Sequence, residues 1–464
     1  MIRLPRLDPD LAYIGSSLFL PKRHLEEGPV YSALTFGLDG DNEPRVLVRE
    51  HRDHLEVPRA FLTQEQLADL ELRVIDTRPR TYPHISLNPK PGFSLRPRQI
   101  AAWEEVRKPR SGILAMACGS GKTIVGLKKA SHLKVPTLIV SHQAAHLENW
   151  EKELKAHFTL KGPVGWIRGK RMEYDREIVF ATIQTLANKV RNGGLPPDFF
   201  NRFGLVIFDE VHHLAAAYFA LTADLVSGER LGLTATTART DRLEGIIFSH
   251  LGPVFYEDLD QEMDPTFYIE EIDLPFTDAD EKEIIDKGGM RNLSLLRGWL
   301  GCNPDRNTEI RRRVIDPCIA RGRIIYALTH SEEHARLMSS YYPQSGCITG
   351  KTPSDQRLSI LHGHDLVFAT MGVGAEAYNR DDLNVLVLMT PFAATSHAAI
   401  QFQQSTGRVQ RKLAGKPDPE VYLIVDKNIE ESRGLMGSLV WKARNQGYEV
   451  KGWNSSQRRQ PRRW

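Results

Sequence analysis

The chain has 464 residues, 41% of them hydrophobic, with 61 Lys and Arg against 58 Asp and Glu and a formal net charge of +3. Such a length accommodates two large domains and a smaller one. The charge balance excludes a global basic field, so binding to a polyanion has to come from local patches. No apolar run approaches a membrane span, the stretch 383–389 being far too short. Met1-Ile2-Arg3-Leu4-Pro5-Arg6 lacks the apolar core of a signal peptide. The four cysteines, at 118, 302, 318 and 347, show no Cys-x-x-Cys spacing. They suit a reducing cytoplasm and supply neither a zinc site nor a disulfide framework.

From the N-terminus, the segments 12–20, 30–36, 45–49 and 72–75 read as strands and 63–70 as one short helix. Thr63 and Gln66 stand at capping-box spacing, which marks the helix start. Residues 1–90 are therefore expected to form a small β-containing accessory domain without a phosphate loop. Its basic residues gather as Lys22-Arg23-His24 and as Arg49, His51, Arg52 and His54. Basic groups at strand ends can position a phosphate backbone; an ordinary solvated surface accounts for them equally well.

In a first domain expected over 91–273, short apolar runs (112–117, 137–140, 178–181, 205–208, 231–234) alternate with helical segments (122–130, 144–157) from 93 to about 255. That alternation implies a parallel sheet covered by helices. Between the first strand and the first helix lies Met116-Ala117-Cys118-Gly119-Ser120-Gly121-Lys122-Thr123. Glycines let backbone N–H groups converge on an anion, and the helix N-terminus adds the positive end of its dipole. Lys122 can then reach the β- and γ-phosphates, and the Thr123 hydroxyl can ligate Mg²⁺. Met116 stands where the pattern has its first glycine, so the strict form is only partly met.

The run 203–208 reads as a buried strand and ends in Asp209-Glu210-Val211-His212. Asp209 can hold Mg²⁺, and Glu210 can orient and deprotonate a water. A helix-capping role would explain one carboxylate, but not Asp-Glu-x-His downstream of a phosphate loop.

Residues 256–310 break the alternation: 257–262 reads as an acidic solvated loop, 280–299 as a helix pair, and 303–307 as the approach to a second domain. With 274–310 taken as a helical linker, a second α/β domain is expected over 311–445. Its strands are expected at 324–328, 366–369, 385–389 and 421–425, and its helices at 332–341 and 397–412. His330 and His334 flank Glu332-Glu333 without zinc-protease spacing and read as exposed helix histidines. In Gln404-Ser405-Thr406-Gly407-Arg408-Val409-Gln410-Arg411, Arg408 and Arg411 share a helix face. Such a pair can neutralise charge on a transferring phosphoryl group. The tail 446–464 holds Arg458, Arg459, Arg462 and Arg463. It suits phosphate contact and base stacking as well as it suits a disordered end.

Together these motifs resemble the superfamily-2 helicases and translocases of the DExH type, over roughly 93–426. The resemblance implies an α/β fold of two tandem RecA-like domains behind the small N-terminal domain, with ATP and Mg²⁺ bound between the two. It implies that Gln99, in Leu95-Arg96-Pro97-Arg98-Gln99, reads adenine, and that Cys118, Gly119, Ser120, Gly121, Lys122 and Thr123 hold the nucleotide. Lys122, Asp209, Glu210, Gln404, Arg408 and Arg411 carry the chemistry, with Thr123 and Asp209 on the metal. Ser141, His142, Gln143, Thr182, Gln184 and Thr370 would contact nucleic acid. His212, Thr234, Ala235 and Thr236 would couple the two sites. The segment Glu376-Ala377-Tyr378-Asn379 departs from the family's Glu-Gly-x-Asp, since Asn379 cannot supply a carboxylate.

In layout the chain looks most like the phage UvsW-like branch-migration helicases, with XPB and RecG relatives further away. The function implied is ATP-driven remodelling of branched or duplex DNA in the cytoplasm, without a membrane. An RNA helicase of the same group, or a nucleotide-gated clamp without turnover, are the alternatives. Glu210, Arg408 and Arg411 speak against the clamp, which needs neither base nor fingers.

Overall fold

The computed structural model describes residues 7–37, 44–117, 119–211, 221–235, 244–259, 263–286, 289–374, 380–392, 406, 409–410, 413 and 415–452. The chain divides into two compact units, one ending at Asp260 and one beginning at Gln261.

The first unit opens with a five-stranded sheet in the order Arg49–Glu50, His54–Pro58, Ser17–Pro21, Ala12–Ile14, Val74–Asp76. Leu18, Leu20, Leu55 and Val57 form its buried core. Val30, in the helix Glu27–Ala33, and Leu34, its C-cap, pack onto that core where a strand was expected over 30–36. The apolar residues of that segment fit a helical stripe as well as an alternating one. The helix Gln64–Asp69 forms as expected, with Thr63 and Gln66 closing a capping box.

An eight-stranded sheet follows, in the order Arg171–Met172, Gly165–Arg168, Ile178–Thr182, Thr137–Ser141, Leu205–Phe208, Glu229–Thr234, Gly112–Met116, Val254–Asp258. Every pairing is parallel except that of the edge strand Arg171–Met172. Both faces are buried. Leu205 and Ile207 enter one apolar cluster and Val206 and Phe208 the other. Two-sided burial explains why these strands read as continuous apolar runs. Parallel crossovers place the C-terminal ends of all the motif-bearing strands along one edge, where α/β sheets bind ligands.

The small sheet is fastened to the opposite, N-terminal edge. Arg59, 8% exposed, donates from Nη1 to the Ser227 carbonyl at 2.6 Å and from Nη2 to the Gly228 carbonyl at 2.7 Å. Arg230, fully buried, donates to the carbonyls of Ser16 and His250 and pairs with Asp224 at 3.3 Å.

The second unit holds a seven-stranded, wholly parallel sheet in the order Gly346–Ile348, Leu366–Thr370, Ile325–Thr329, Val385–Leu388, Glu420–Asp426, Thr266–Ile272, Val450–Lys451. Three expectations need correction here. Thr266–Ile272, taken as the end of the first domain, pairs with Glu420–Asp426 along its whole length and belongs to the second sheet. Glu257 and Asp258, expected in a solvated loop, lie in the strand Val254–Asp258. His334 is fully buried, not exposed: its ring meets Thr329 Oγ1 at 2.8 Å and Asn307 Oδ1 at 3.0 Å. His330 is half-buried ahead of the helix Glu332–Ser340 and bonds Thr390 Oγ1 at 2.9 Å. The helices Asp278–Glu283 and Leu293–Cys302 supply the expected pair. Most of the expected helix 397–412 lies outside the described residues. Among the described residues no helix is long and apolar enough to cross a membrane.

Candidate nucleotide site

The strand Gly112–Met116 is buried throughout, and the helix Lys122–Leu133 begins after a turn of five residues. Gly119 (φ +82°) and Gly121 (φ +86°) take left-handed conformations that favour glycine. A Cβ on Gly121 would sit 2.0 Å from Gln99 Nε2. Gln99 is 3% exposed; it donates to the Ser120 and Gly121 carbonyls at 3.3 Å each and accepts from the Arg96 N–H at 2.8 Å. It therefore braces the loop from beneath. Met116, in the place of the pattern's first glycine, ends the strand and is part of the core.

Lys122 is 7% exposed and folds back over the loop, donating to the carbonyls of Met116 at 3.0 Å and Ala117 at 3.3 Å. Glu210 Oε1 stands 4.0 Å from its ammonium. Glu210 has φ +50°, in the left-handed region that a side chain rarely adopts. Consecutive residues of a strand point to opposite faces. The turn at Glu210 departs from that alternation just beyond the strand end; Glu210 stands next to Lys122, whose charge also reaches Asp209. Asp209 is buried, its N–H donating to the Val140 carbonyl at 2.8 Å. Burial and the Glu210 charge push the Asp209 carboxyl up; His146, the Trp150 N–H and Lys122 offset part of that. A buried carboxylate so placed is stabilised by a cation.

These groups fit a nucleotide with Mg²⁺. The Ser120 hydroxyl is buried without a hydrogen-bond partner. The loop amides stand at a helix N-terminus, and Thr123 occupies the first helical turn. Among the described residues no three acidic, His or Cys side chains cluster as a metal cage.

The other expected residues fall as follows. Ser141 is buried at the end of Thr137–Ser141, and His142 and Gln143 lead into the helix Ala144–His157. Thr182 ends Ile178–Thr182 and meets Thr185 Oγ1 at 2.8 Å, with Gln184 exposed beside it. Thr234 and Ala235 are buried at the end of Glu229–Thr234. All of these share the edge that carries Lys122 and Asp209. Thr370 ends Leu366–Thr370 in the second unit. Cys118, His212, Thr236, Gln404, Arg408, Arg411 and the segment 376–379 lie outside the described residues.

Two residues of the site went unread in the sequence. Trp150 Nε1 donates to Asp209 Oδ2 at 2.9 Å. His146 acts electrostatically on Asp209, meets Ser141 Oγ at 3.4 Å and stacks edge-on with His142 at 4.9 Å. The signal was a Trp on the buried stripe Leu147, Trp150, Leu154, because a buried indole N–H requires an acceptor.

Residues 92–239 match the family described as "Type III restriction enzyme, res subunit". The chain is 30% identical over 442 residues to the DNA 3'-5' translocase XPB2 of Sulfurisphaera tokodaii, covering 86% of itself and 91% of that protein. It is 30% identical over 275 residues to the DNA 3'-5' helicase XPB of Mycobacterium tuberculosis, covering 58% of itself and 43% of that protein. The chain thus spans less than half the length of the mycobacterial relative. Among solved structures, Mss116p bound to ssRNA and AMP-PNP matches with a TM-score of 0.54 at 14% identity, covering 78% of this chain and 75% of that one. That likeness concerns the fold alone. The layout-based expectation set XPB relatives further away than phage branch-migration helicases; the sequence similarity corrects it, running along nearly the whole archaeal XPB2 protein.

Proposed function

This chain belongs to the XPB family of superfamily-2 helicases and translocases, and we propose that it is an ATP-dependent motor acting on DNA. The observation that supports this most is the grouping of Lys122, Asp209 and Glu210, with Glu210 Oε1 4.0 Å from the lysine and Asp209 buried within reach of its charge. In this reading Lys122 leaves the Met116 and Ala117 carbonyls for the β- and γ-phosphates. The amides of 119–123 hold the same phosphates. Thr123 and Asp209 hold Mg²⁺, which when bound neutralises charge on the phosphate oxygens. Glu210 accepts the proton of the attacking water. Gln99 keeps the loop in shape and is the candidate adenine contact. Arg408 and Arg411 are proposed as the transition-state cations.

Ser141, His142, Gln143, Thr182 and Gln184 share the ligand edge of the first sheet and are proposed, with Thr370, as nucleic-acid contacts. Thr234 and Ala235, buried on the neighbouring strand end, are proposed to pass changes between track and nucleotide, together with Thr236 and His212. DNA is preferred as the track because the named XPB relatives are DNA helicases or translocases. Branch migration of forks or Holliday junctions is the finer possibility within this reading.

The test is ATP hydrolysis measured side by side with single-stranded, duplex and forked DNA and with RNA. Stimulation by DNA well above that by RNA is expected, and a further rise on forks would favour branched substrates. RNA stimulation equal to or above that of every DNA would overturn the assignment of the track.

A further inference from the structure

Trp150 touches two parts of the first unit at once. Its indole N–H donates to Asp209 Oδ2 at 2.9 Å, with Trp150 1% and Asp209 7% exposed. Its six-membered ring lies against Gly126, in the second turn of the phosphate-loop helix; a Cβ there would fall 2.7 Å from Trp150 Cη2. Its own helix, Ala144–His157, starts directly after Ser141-His142-Gln143. We propose that Trp150 is a positioning residue that fixes the Asp209 carboxylate for Mg²⁺ by hydrogen-bonding one oxygen and leaving the other for the metal. The proposal rests on the reading of Asp209 as a metal ligand.

The physical case is one of orientation. A carboxylate at a strand end can rotate about its terminal torsion, which is broad. A rigid donor on one oxygen removes that freedom before the metal arrives, and partners of this kind tune ligand orientation in metal sites generally. The indole is itself immobilised between the Asp209 strand and Gly126, where no larger residue fits without displacing it. Because the same helix begins at the proposed nucleic-acid contacts, a shift of its first turn would be felt at Asp209.

The test is calorimetric binding of ADP to the full chain, once with excess Mg²⁺ and once with EDTA, so that no turnover is needed. Asp209→Asn serves as the reference. If it leaves the Mg²⁺-dependent gain in affinity unchanged, Asp209 is not the metal ligand and the underlying reading fails. Trp150→Phe keeps the ring against Gly126 and removes the donor. It is expected to cut the Mg²⁺-dependent gain by about 10-fold, the scale of a lost hydrogen bond to a charged group, with ADP affinity in EDTA within roughly 2-fold of wild type. Should the Phe protein lose its cooperative melting transition, Gly126→Ala displaces the same indole from the other side and is expected to give the same split. An unchanged Mg²⁺ gain in whichever variant is folded, or equal weakening with and without Mg²⁺, would reduce Trp150 to a core-filling side chain and overturn the proposal.

Discussion

Glu210 holds φ +50° with a full side chain, a conformation that costs about 1–3 kcal/mol. The surrounding strand and the Lys122 contact have to offset that cost; the turn leaves Glu210 Oε1 4.0 Å from the Lys122 ammonium. Glu210→Gln keeps shape and hydrogen bonding but removes the base. Nucleotide binding is expected to persist while hydrolysis falls roughly 10²–10⁴-fold, read by comparing ADP calorimetry with phosphate release. Glu210→Gly should relieve the strain: a melting temperature equal to or above wild type with no turnover is expected, and a clear loss of stability would show that the turn is unstrained. Gly121→Ala is expected to abolish nucleotide binding, since its Cβ would lie 2.0 Å from Gln99 Nε2 at φ +86°; binding at wild-type affinity would mean that the brace is dispensable. Lys122, Asp209 and Glu210 were legible in the sequence because each sits in a short linear motif. Trp150 and His146 were not, because they sit on the helix Ala144–His157 and meet Asp209 across the fold; the apolar stripe marks Trp150 as buried without naming its acceptor. The strain at Glu210 was equally invisible, since nothing in Asp-Glu-x-His states a backbone angle.

Among the elements, legibility followed burial. Strands covered on both faces, such as Leu205–Phe208 and Ile325–Thr329, show as unbroken apolar runs and were placed to within a residue or two. Thr266–Ile272 was missed because Glu270 and Glu271 interrupt it, which a strand flanked on one side by only the two-residue Val450–Lys451 can tolerate. His330 and His334 were misread because sequence alone gave no sign of the Thr390, Thr329 and Asn307 side chains that receive them. Burial, reinforced by Arg297 beside His330 and by Arg306 beside His334, lowers both rings to about 3. Their unfolded value is about 6.5. Between these limits the unfolded chain binds more protons, so stability is full above pH ~6.5 and is lost as pH falls. The slope is expected to reach about 1.4 kcal/mol per pH unit for each histidine. Denaturant melts from pH 7.5 to 5 check this: His334→Gln should flatten the decline. A decline as steep as wild type would place the acid sensitivity elsewhere.

At the scale of the molecule, the basic residues of the N-terminal sheet are largely matched by acids. Lys22 pairs with Glu50, Arg23 with Asp10, and Arg49 and His51 with Glu56, while His54 is buried against the Leu11 carbonyl. Four of the basic residues grouped in the sequence thus stand beside acids that the sequence could not show. Lys22→Ala is expected to leave the salt dependence of DNA binding unchanged; a slope shallower by about 0.9 would mean that the lysine does meet a phosphate. Arg59 ties this sheet to the eight-stranded sheet. Arg59→Ala strands the buried Ser227 and Gly228 carbonyls and should destabilise the first unit by roughly 1–3 kcal/mol for each, seen as a lower melting temperature with earlier proteolysis between the small sheet and the motor.

If the Lys122, Asp209 and Glu210 site drives movement on DNA, the chain should strip a triplex-forming strand from duplex DNA. The full chain with ATP and Mg²⁺ is expected to displace the third strand, and Lys122→Ala, folded as judged by its melting transition, to leave it in place. Displacement that proceeds without ATP or in Lys122→Ala, or ATP hydrolysis by the wild-type chain that leaves every triplex intact, would contradict it.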